Sequence, residues 1–220
     1  MTVFKLYSYW RSSSAYRVRI ALNLKGAAYE IVPVHLLRDG GEQHRPEYRA
    51  LNPQELVPLL VDGAFCLAQS LAIFQYLETR LPQPKLVPED PREAARMWAF
   101  CQAVACEIQP LQNTRVLHYL EHPLGVDEAR RRQWLHHWIG TGLAALEGML
   151  ASRASGACCF GDTPTYADCC LVPQLYAARR YGVALAAFPR LLAIEARCAE
   201  REAFRRAAPE AQPDAPPTSG

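Results

Sequence analysis

The first eighty residues alternate short apolar runs with an amphipathic segment, a pattern that predicts a small α/β fold. Residues 2–9, TVFKLYSY, are rich in β-branched and aromatic side chains and predict a strand. The stretch YRVRIALNLKG (16–26) has an apolar helical face and ends at Gly26, a residue suited to a helix C-terminus. A second strand, YEIVPVHL (29–36), follows, so the order predicts a parallel β-α-β unit.

A hairpin and a second helix complete this α/β pattern. Asp62-Gly63 lies inside LVPLLVDGAFCLA (56–68) and is a strong hairpin signal. The stretch QSLAIFQYLETRL (69–81) predicts a helix that begins at a serine cap. Residues 37–53 combine glycines, prolines and charges and therefore predict a loop.

Strand signals largely vanish after a proline-rich stretch, PQPKLVPEDP (82–91). We therefore expect an α/β domain over residues 1–83, a linker over 84–91 and an all-helical domain over 92–220. Within that second domain, Thr165 and Asp168 have the spacing of a capping box, with Asp in place of the usual Glu. The last residues, APEAQPDAPPTSG, predict an extended, Pro-rich tail.

Charge and composition exclude several classes of protein. The 24 basic and 22 acidic residues give a net charge of +2, with no clustered basic excess of the kind that nucleic acids or membrane surfaces attract. No stretch approaches the length of a membrane-spanning helix, and the N-terminus lacks a secretory pattern, so we expect a cytoplasmic protein. The eight cysteines form no C-x-x-C, which favours reduced buried thiols and argues against a metal site.

Two helix starts are candidate anion sites. Ser12, Ser13 and Ser14 precede the first amphipathic helix, where a hydroxyl can cap the helix or donate a hydrogen bond to an anion docked there. Gln69-Ser70 opens the later helix in the same way. Val57-Pro58 comes just before a hairpin strand, where proline is awkward, and a cis peptide bond would explain its position.

Several motifs across nearly the whole chain resemble the zeta class of glutathione transferases. They are YSYWRSSSAYRVRIALNLKG, LLRDGGEQ, ALNPQELVPLL, QSLAIFQYLE, IQPLQNTRVL, FGDTPTYADCCLVPQ and QPDAP. The resemblance implies a thioredoxin-like N-terminal domain, an all-α C-terminal domain and glutathione in a cleft between them. It also implies a homodimer. Ser14 stands where the family's signature usually has a cysteine.

The resemblance assigns the glutathione contacts residue by residue. Ser12 is matched to the thiol, Val57 to main-chain pairing with the tripeptide, and Gln43 to its glycyl end. Gln69 and Ser70 are matched to the γ-glutamyl carboxylate. The complete implied set is Ser12, Ser13, Ser14, Gln43, Val57, Gln69, Ser70, Gln109 and Asn113.

The activity that the resemblance implies is the glutathione-dependent isomerisation of maleylacetoacetate to fumarylacetoacetate, in the breakdown of tyrosine and phenylalanine. Arginines suit the carboxylates and developing charge of such a substrate. Arg11, beside the serines, is the first candidate for catalysis and substrate binding; Arg115 and Arg180 are candidates from the helical domain. Isomerisation of maleylpyruvate, general glutathione transfer, and non-catalytic ligand binding are the alternatives.

Overall fold

The computed structural model describes residues 3–151 and 156–217 and divides them into two compact units. The first contains the described residues up to Lys85 together with those from Ala199 onward, and the second is Leu86–Cys198. The α/β unit is therefore discontinuous in sequence. This corrects the expected second domain of residues 92–220, because its last residues pack with the first unit.

The first unit is built on a four-stranded mixed sheet. Its elements are β1 (Phe4–Ser8), α1 (Ser13–Leu24), β2 (Tyr29–Pro33), α2 (Pro46–Leu51), β3 (Leu59–Asp62), β4 (Phe65–Ala68), α3 (Ser70–Arg80) and α9 (Glu202–Ala207). The strand order is β2-β1-β3-β4. Strands β1 and β2 are parallel, as the β-α-β pattern predicted, and β3 and β4 form the hairpin around Asp62-Gly63. Gly26 follows α1 with a φ of 63°, a conformation that favours glycine.

Two local predictions in this unit were wrong. The segment expected to be a loop, residues 37–53, contains α2 and two short 3-10 turns, because Pro46 starts a helical turn. The N-cap of α3 is Gln69, with a φ of 72°, and its side chain makes no capping bond. The chain turns into α3 through this left-handed residue, which makes Ser70 the first helical residue.

The buried face of α1 contains two charged side chains. Arg17 and Arg19 are both at most 1% exposed. The Nε of Arg19 donates to the carbonyl oxygen of Ala207 at 2.9 Å, and the Nδ2 of Asn23 donates to that of Ala203 at 2.9 Å. These bonds attach α9 to α1 and explain why the end of the chain joins the first unit.

The second unit is helical. Its helices are α4 (Pro91–Gln102), α5 (Thr114–Glu121), α6 (Glu128–Ala151), α7 (Tyr166–Arg180) and α8 (Pro189–Ala199). Helix α7 is buried over nearly its whole length and starts at the predicted capping box, where the backbone N–H of Thr165 donates to the Asp168 carboxylate at 2.8 Å. Among the helices in the described ranges, none has the length and hydrophobicity needed to cross a bilayer.

Candidate functional site

Strand register brings the predicted residues of the first unit to one edge of the sheet. Tyr7 in β1 pairs with Leu59 in β3, and Leu59 pairs with Ala68 in β4. The chain leaves β1 towards the serine run, enters β3 after Val57-Pro58, and leaves β4 towards Gln69, all at that same edge. The end of β2 lies there too, because Ser8 pairs with Pro33. The sheet therefore gathers the segments that contain Ser12, Gln43, Val57 and Ser70.

Ser12 is the N-cap of α1, and its Oγ accepts the N–H of Ala15 at 3.2 Å. A hydroxyl that accepts one hydrogen bond still has a proton to donate. The amides of Ser13 and Ser14, at the first positions of the helix, have no intrahelical carbonyl to bind. Capping and donation to an anion, the two interpretations of the serine run, are thus compatible at Ser12.

Arg11 lies beside the start of α1, and not all of its hydrogen-bond donors are used by the described part of the chain. Its guanidinium carbon is 5.3 Å from the centre of the Trp10 ring, within the range of a cation–π contact. Its Nε is buried and has no hydrogen-bond partner within the described residues. A buried donor without a partner lowers the stability of the fold, so Arg11 is suited to donate a hydrogen bond to an anionic ligand.

The main chain at Val57 is fixed through the preceding carbonyl, while the N–H and carbonyl of Val57 itself make no hydrogen bond within the described residues. The carbonyl of Leu56 accepts the Tyr48 hydroxyl at 2.6 Å and the Asn52 Nδ2 at 2.8 Å. Because a trans peptide is planar, the N–H of Val57 points the opposite way. Neither the N–H nor the carbonyl of Val57 has a partner among the described residues, and Val57-Pro58 is cis, as predicted.

The start of α3 brings together Ser70 and Arg17, a residue that the sequence analysis did not assign to the site. Ser70 is buried, and its Oγ accepts a hydrogen bond from Nη1 of Arg17 at 3.3 Å. A buried cation below the N-terminus of α3 adds to the positive potential of the helix end. Gln69 is anchored separately, since its Nε2 donates to Oε1 of Gln54 at 2.8 Å. The N-terminus of α3 therefore favours the binding of a carboxylate.

Gln43 lies in the 3-10 turn Glu42–His44, where its Nε2 donates to the Leu36 carbonyl at 3.4 Å. Its Oε1 is buried without a partner in the described part of the chain. Gly41 makes this position possible, because a Cβ there would lie 2.4 Å from the Gln43 Nε2 and the residue has a φ of 106°. An amide held in this way can bind a polar group of a ligand.

The remaining predicted residues belong to the second unit. Gln109 begins a 3-10 turn, Gln109–Gln112, that follows a π-helical turn. Asn113 is the N-cap of α5 and accepts the backbone N–H of Arg115 at 3.1 Å. The Arg115 side chain is exposed.

Arg180 lies at the end of α7 and lines a cavity of about 510 Å³ within the second unit. Its guanidinium covers the Tyr181 ring at 4.3 Å and binds the Tyr181 hydroxyl. Arg131 and His136 line the same cavity. Of the four predicted residues in the described part of this unit, Arg180 alone lines this cavity.

A buried cluster of Cys158, Asp168 and Cys198 is the arrangement most like a metal site among the described residues, with ligand atoms within 4.8 Å of one another. Hydrogen bonding to Cys158, together with burial, raises the pKa of the Cys198 thiol. Both Asp168 oxygens accept hydrogen bonds, from the N–H of Cys159 and from Thr165. Because both oxygens of this carboxylate already accept hydrogen bonds from the protein, the cluster favours a structural role.

Family models match both units. The model of the glutathione S-transferase N-terminal domain matches residues 2–79, and that of the C-terminal domain matches residues 127–197. A maleylacetoacetate isomerase from Pseudomonas aeruginosa is 52% identical over 96% of this chain and 99% of its own. The chain belongs to the glutathione S-transferase family. The expected combination of a thioredoxin-like domain and a helical domain is confirmed.

Solved structures place this glutathione S-transferase in the zeta class. A bacterial maleylpyruvate isomerase of that class, in a holo structure, matches with a TM-score of 0.93 and 47% identity, over 96% of this chain and 100% of its own. A maleylacetoacetate isomerase from Methylobacterium extorquens, solved with malonate and glutathione bound, matches with a TM-score of 0.92 and 42% identity, over 96% and 99%. The predicted class is confirmed.

Proposed function

We propose that this glutathione S-transferase is a glutathione-dependent cis–trans isomerase that converts maleylacetoacetate to fumarylacetoacetate. The observation on which the proposal rests is the single sheet edge that gathers Ser12, Val57 and Ser70. These segments offer a hydroxyl, a free main-chain donor and acceptor, and a positively charged helix start. A γ-glutamyl tripeptide with a thiol requires the same three kinds of group.

The residues present fit glutathione. Val57 offers its N–H and carbonyl to the tripeptide backbone, Ser70 with Arg17 below it binds the γ-glutamyl carboxylate, and the Gln43 amide meets the glycyl end. The Ser12 hydroxyl donates to the sulfur, with the amides of Ser13 and Ser14 adjacent. Gln69 supports the γ-glutamyl end, while Gln109 and Asn113 of the second unit are glutathione contacts that the family resemblance implies.

Bound glutathione supplies a thiolate that adds reversibly to the substrate's double bond, so that rotation about the resulting single bond can precede its departure. Arg11 stabilises the negative charge that develops on the substrate's carbonyl oxygen, because its guanidinium is adjacent to the Ser12 turn and has an unpaired donor. Arg115 and Arg180 bind substrate carboxylates in this proposal. Such arginines favour a small dicarboxylic keto acid.

Turnover of purified protein tests the proposal directly. Maleylacetoacetate and maleylpyruvate are supplied separately, with and without glutathione, and loss of the cis acid is followed by absorbance. We expect isomerisation only with glutathione and a higher kcat/KM for maleylacetoacetate. Preference for maleylpyruvate would reassign the substrate, whereas glutathione binding without turnover of either acid would support a ligand-binding protein. Conjugation of an electrophile without isomerisation would support a general transferase.

Location and assembly belong to the same proposal. The cysteines of the described chain are all free, which is typical of a reducing compartment and supports the cytoplasm. The homodimer is a prediction from the family resemblance, and sedimentation of the purified protein measures it.

A further inference from the structure

A four-residue turn connects β1 to α1 and holds two of the proposed active-site residues. The N–H of Ser12 donates to the carbonyl of Tyr9 at 2.9 Å, which closes the turn around Trp10 and Arg11. The Arg11 guanidinium covers the Trp10 ring at 5.3 Å. The placement of Trp10 therefore determines where Arg11 and the Ser12 hydroxyl lie.

Both peptide groups of Trp10 are held by residues outside the turn. Its N–H donates to the carboxylate Oδ2 of Asp214 at 2.8 Å, and its carbonyl accepts Nη2 of Arg19 at 3.0 Å. Arg19 is fully buried and also donates to the Ser8 hydroxyl at 3.1 Å and to the Ala207 carbonyl at 2.9 Å. The turn is thus fixed from both sides by charged groups.

Asp214 belongs to the QPDAP motif, to which the proposed function gives no role. The motif was expected to be part of an extended tail, but the described residues there pack closely. Gln212 is buried, and its Nε2 donates to the carbonyls of Arg206 at 2.9 Å and Ala208 at 2.8 Å. The N–H of Ala215 donates to the Gln212 carbonyl at 3.1 Å. These hydrogen bonds therefore hold the main chain on either side of Asp214.

The chemistry of Asp214 is unusual for a purely structural contact. Its second oxygen, Oδ1, is buried without a partner among the described residues. A buried carboxylate oxygen in that state opposes folding, and a neutral acceptor would bind the Trp10 N–H without this cost. The carboxylate does give a stronger, shorter bond to the N–H, which fixes the turn more tightly.

We propose that Asp214 and Arg19 are positioning residues for the reaction, which together hold Trp10 so that Ser12 faces the glutathione sulfur and Arg11 faces the substrate. The activity part of this inference rests on the proposed function. The structural part, a clamp on the turn, concerns only residues of the first unit.

The test compares substitutions at Asp214 with a matched control in the same segment. Asp214→Ala removes the acceptor, Asp214→Asn keeps a neutral one, and Asp214→Glu moves the carboxylate by one methylene. Gln212→Ala removes two hydrogen bonds from the segment without touching the turn. Hydrogen exchange of the Trp10 and Ser12 amides, glutathione affinity by calorimetry, kcat and melting temperature are measured for each.

Displacement of a reacting group costs rate more than binding, so Asp214→Ala should lower kcat at least about tenfold. Its glutathione affinity should change less than about threefold, because Val57 and Ser70 remain in place. Exchange of the Trp10 amide should accelerate at least about tenfold. Asp214→Asn should keep an intermediate kcat, because it retains an acceptor but loses the charge-assisted bond. Gln212→Ala loosens the segment but leaves the Asp214 carboxylate in place, so it should lower the melting temperature with a much smaller loss of kcat and a much smaller acceleration of Trp10 exchange than Asp214→Ala.

Wild-type kcat and Trp10 exchange in folded Asp214→Ala would overturn the inference, as would equal losses of kcat in the Gln212→Ala control. If Asp214→Ala does not fold, Asp214→Glu provides the test, because it keeps the charge but shifts the turn. Its kcat should then fall and its Trp10 exchange should accelerate, and wild-type values of both would overturn the inference. A wild-type protein that binds glutathione without isomerising either acid would defeat the proposed function alone. The exchange of Trp10 would then still confirm or overturn the clamp.

Discussion

Replacing Ser12 by alanine separates two roles of one hydroxyl. As the N-cap of α1, the Oγ accepts the Ala15 N–H at 3.2 Å, which is at the long end for a hydrogen bond. Loss of this cap should lower the free energy of unfolding by about 0.5–1 kcal/mol. Loss of the hydroxyl proton should in addition remove the donor that stabilises and aims the glutathione thiolate.

The catalytic loss has two parts of different size. A thiol of pKa about 8.5 is roughly 3% ionised at pH 7, and lowering that pKa by about 2 units raises the ionised fraction about 25-fold. Nucleophilicity falls almost tenfold over the same shift, so the net gain from ionisation is only about threefold. Misplacement of the sulfur by about 1 Å can cost on the order of 100-fold. We therefore expect kcat/KM of Ser12→Ala at pH 7 to fall on the order of 100-fold.

The pH profile distinguishes these parts. Between pH 7 and 9.5 the activity of Ser12→Ala should rise about thirtyfold as its thiol ionises, whereas the wild type should rise less than about 1.5-fold. Ser12→Thr keeps both the cap and the donor and should stay active. Ser12→Asp keeps the cap but places a carboxylate beside the sulfur, so it should be stable and inactive. Full activity of Ser12→Ala at pH 7 would refute the assignment.

Three further predictions concern buried polar groups. Arg17→Met should weaken glutathione binding about 10- to 150-fold in calorimetry, because Ser70, which binds the γ-glutamyl carboxylate, loses the charged Arg17 donor that holds its hydroxyl. An analogue that lacks this carboxylate should bind both proteins equally, and a difference there would contradict the role. Burial raises the pKa of Tyr48 to about 12, above the value of about 10 in an unfolded chain. The folded state therefore loses stability as pH rises from about 10 to 12, and urea unfolding at pH 11 should show the wild type losing about 1.4 kcal/mol relative to Tyr48→Phe; parallel profiles for the two proteins would argue against this burial effect. Asp168→Ala should lower the unfolding free energy by about 3 kcal/mol, because the buried N–H groups of Cys159 and Thr165 lose their acceptor. A large loss of kcat in the fraction of this variant that folds would contradict a structural role.

Sequence reasoning succeeded where the signal was local. The hairpin at Asp62-Gly63, the capping box at Thr165 and the cis bond at Val57-Pro58 each depend on residues within a few positions of one another. The same kind of reasoning failed at Gln69, because a positive φ in a residue other than glycine is imposed by tertiary contacts and not by intrinsic preference.

The clamp on Trp10 shows why part of the site escaped prediction. Arg19 resembles a charged residue on an amphipathic helix, and only its buried partners reveal another role. Asp214 lies 204 residues from Trp10 in the sequence, so no periodicity connects them. The family resemblance identified QPDAP as a motif, but only the folded structure shows its contact with the turn.

The interruption of the α/β unit by the whole helical unit has a consequence for biosynthesis. Strands β1 to β4 leave the ribosome early, yet the backbone carbonyl that receives Arg19 belongs to Ala207. During translation the buried guanidinium must wait, solvated or bound elsewhere, until more than a hundred further residues have emerged. A nascent chain halted after the hairpin should therefore lack a fixed turn between β1 and α1, because the contacts from Ala207 and Asp214 form only after those residues have been synthesised.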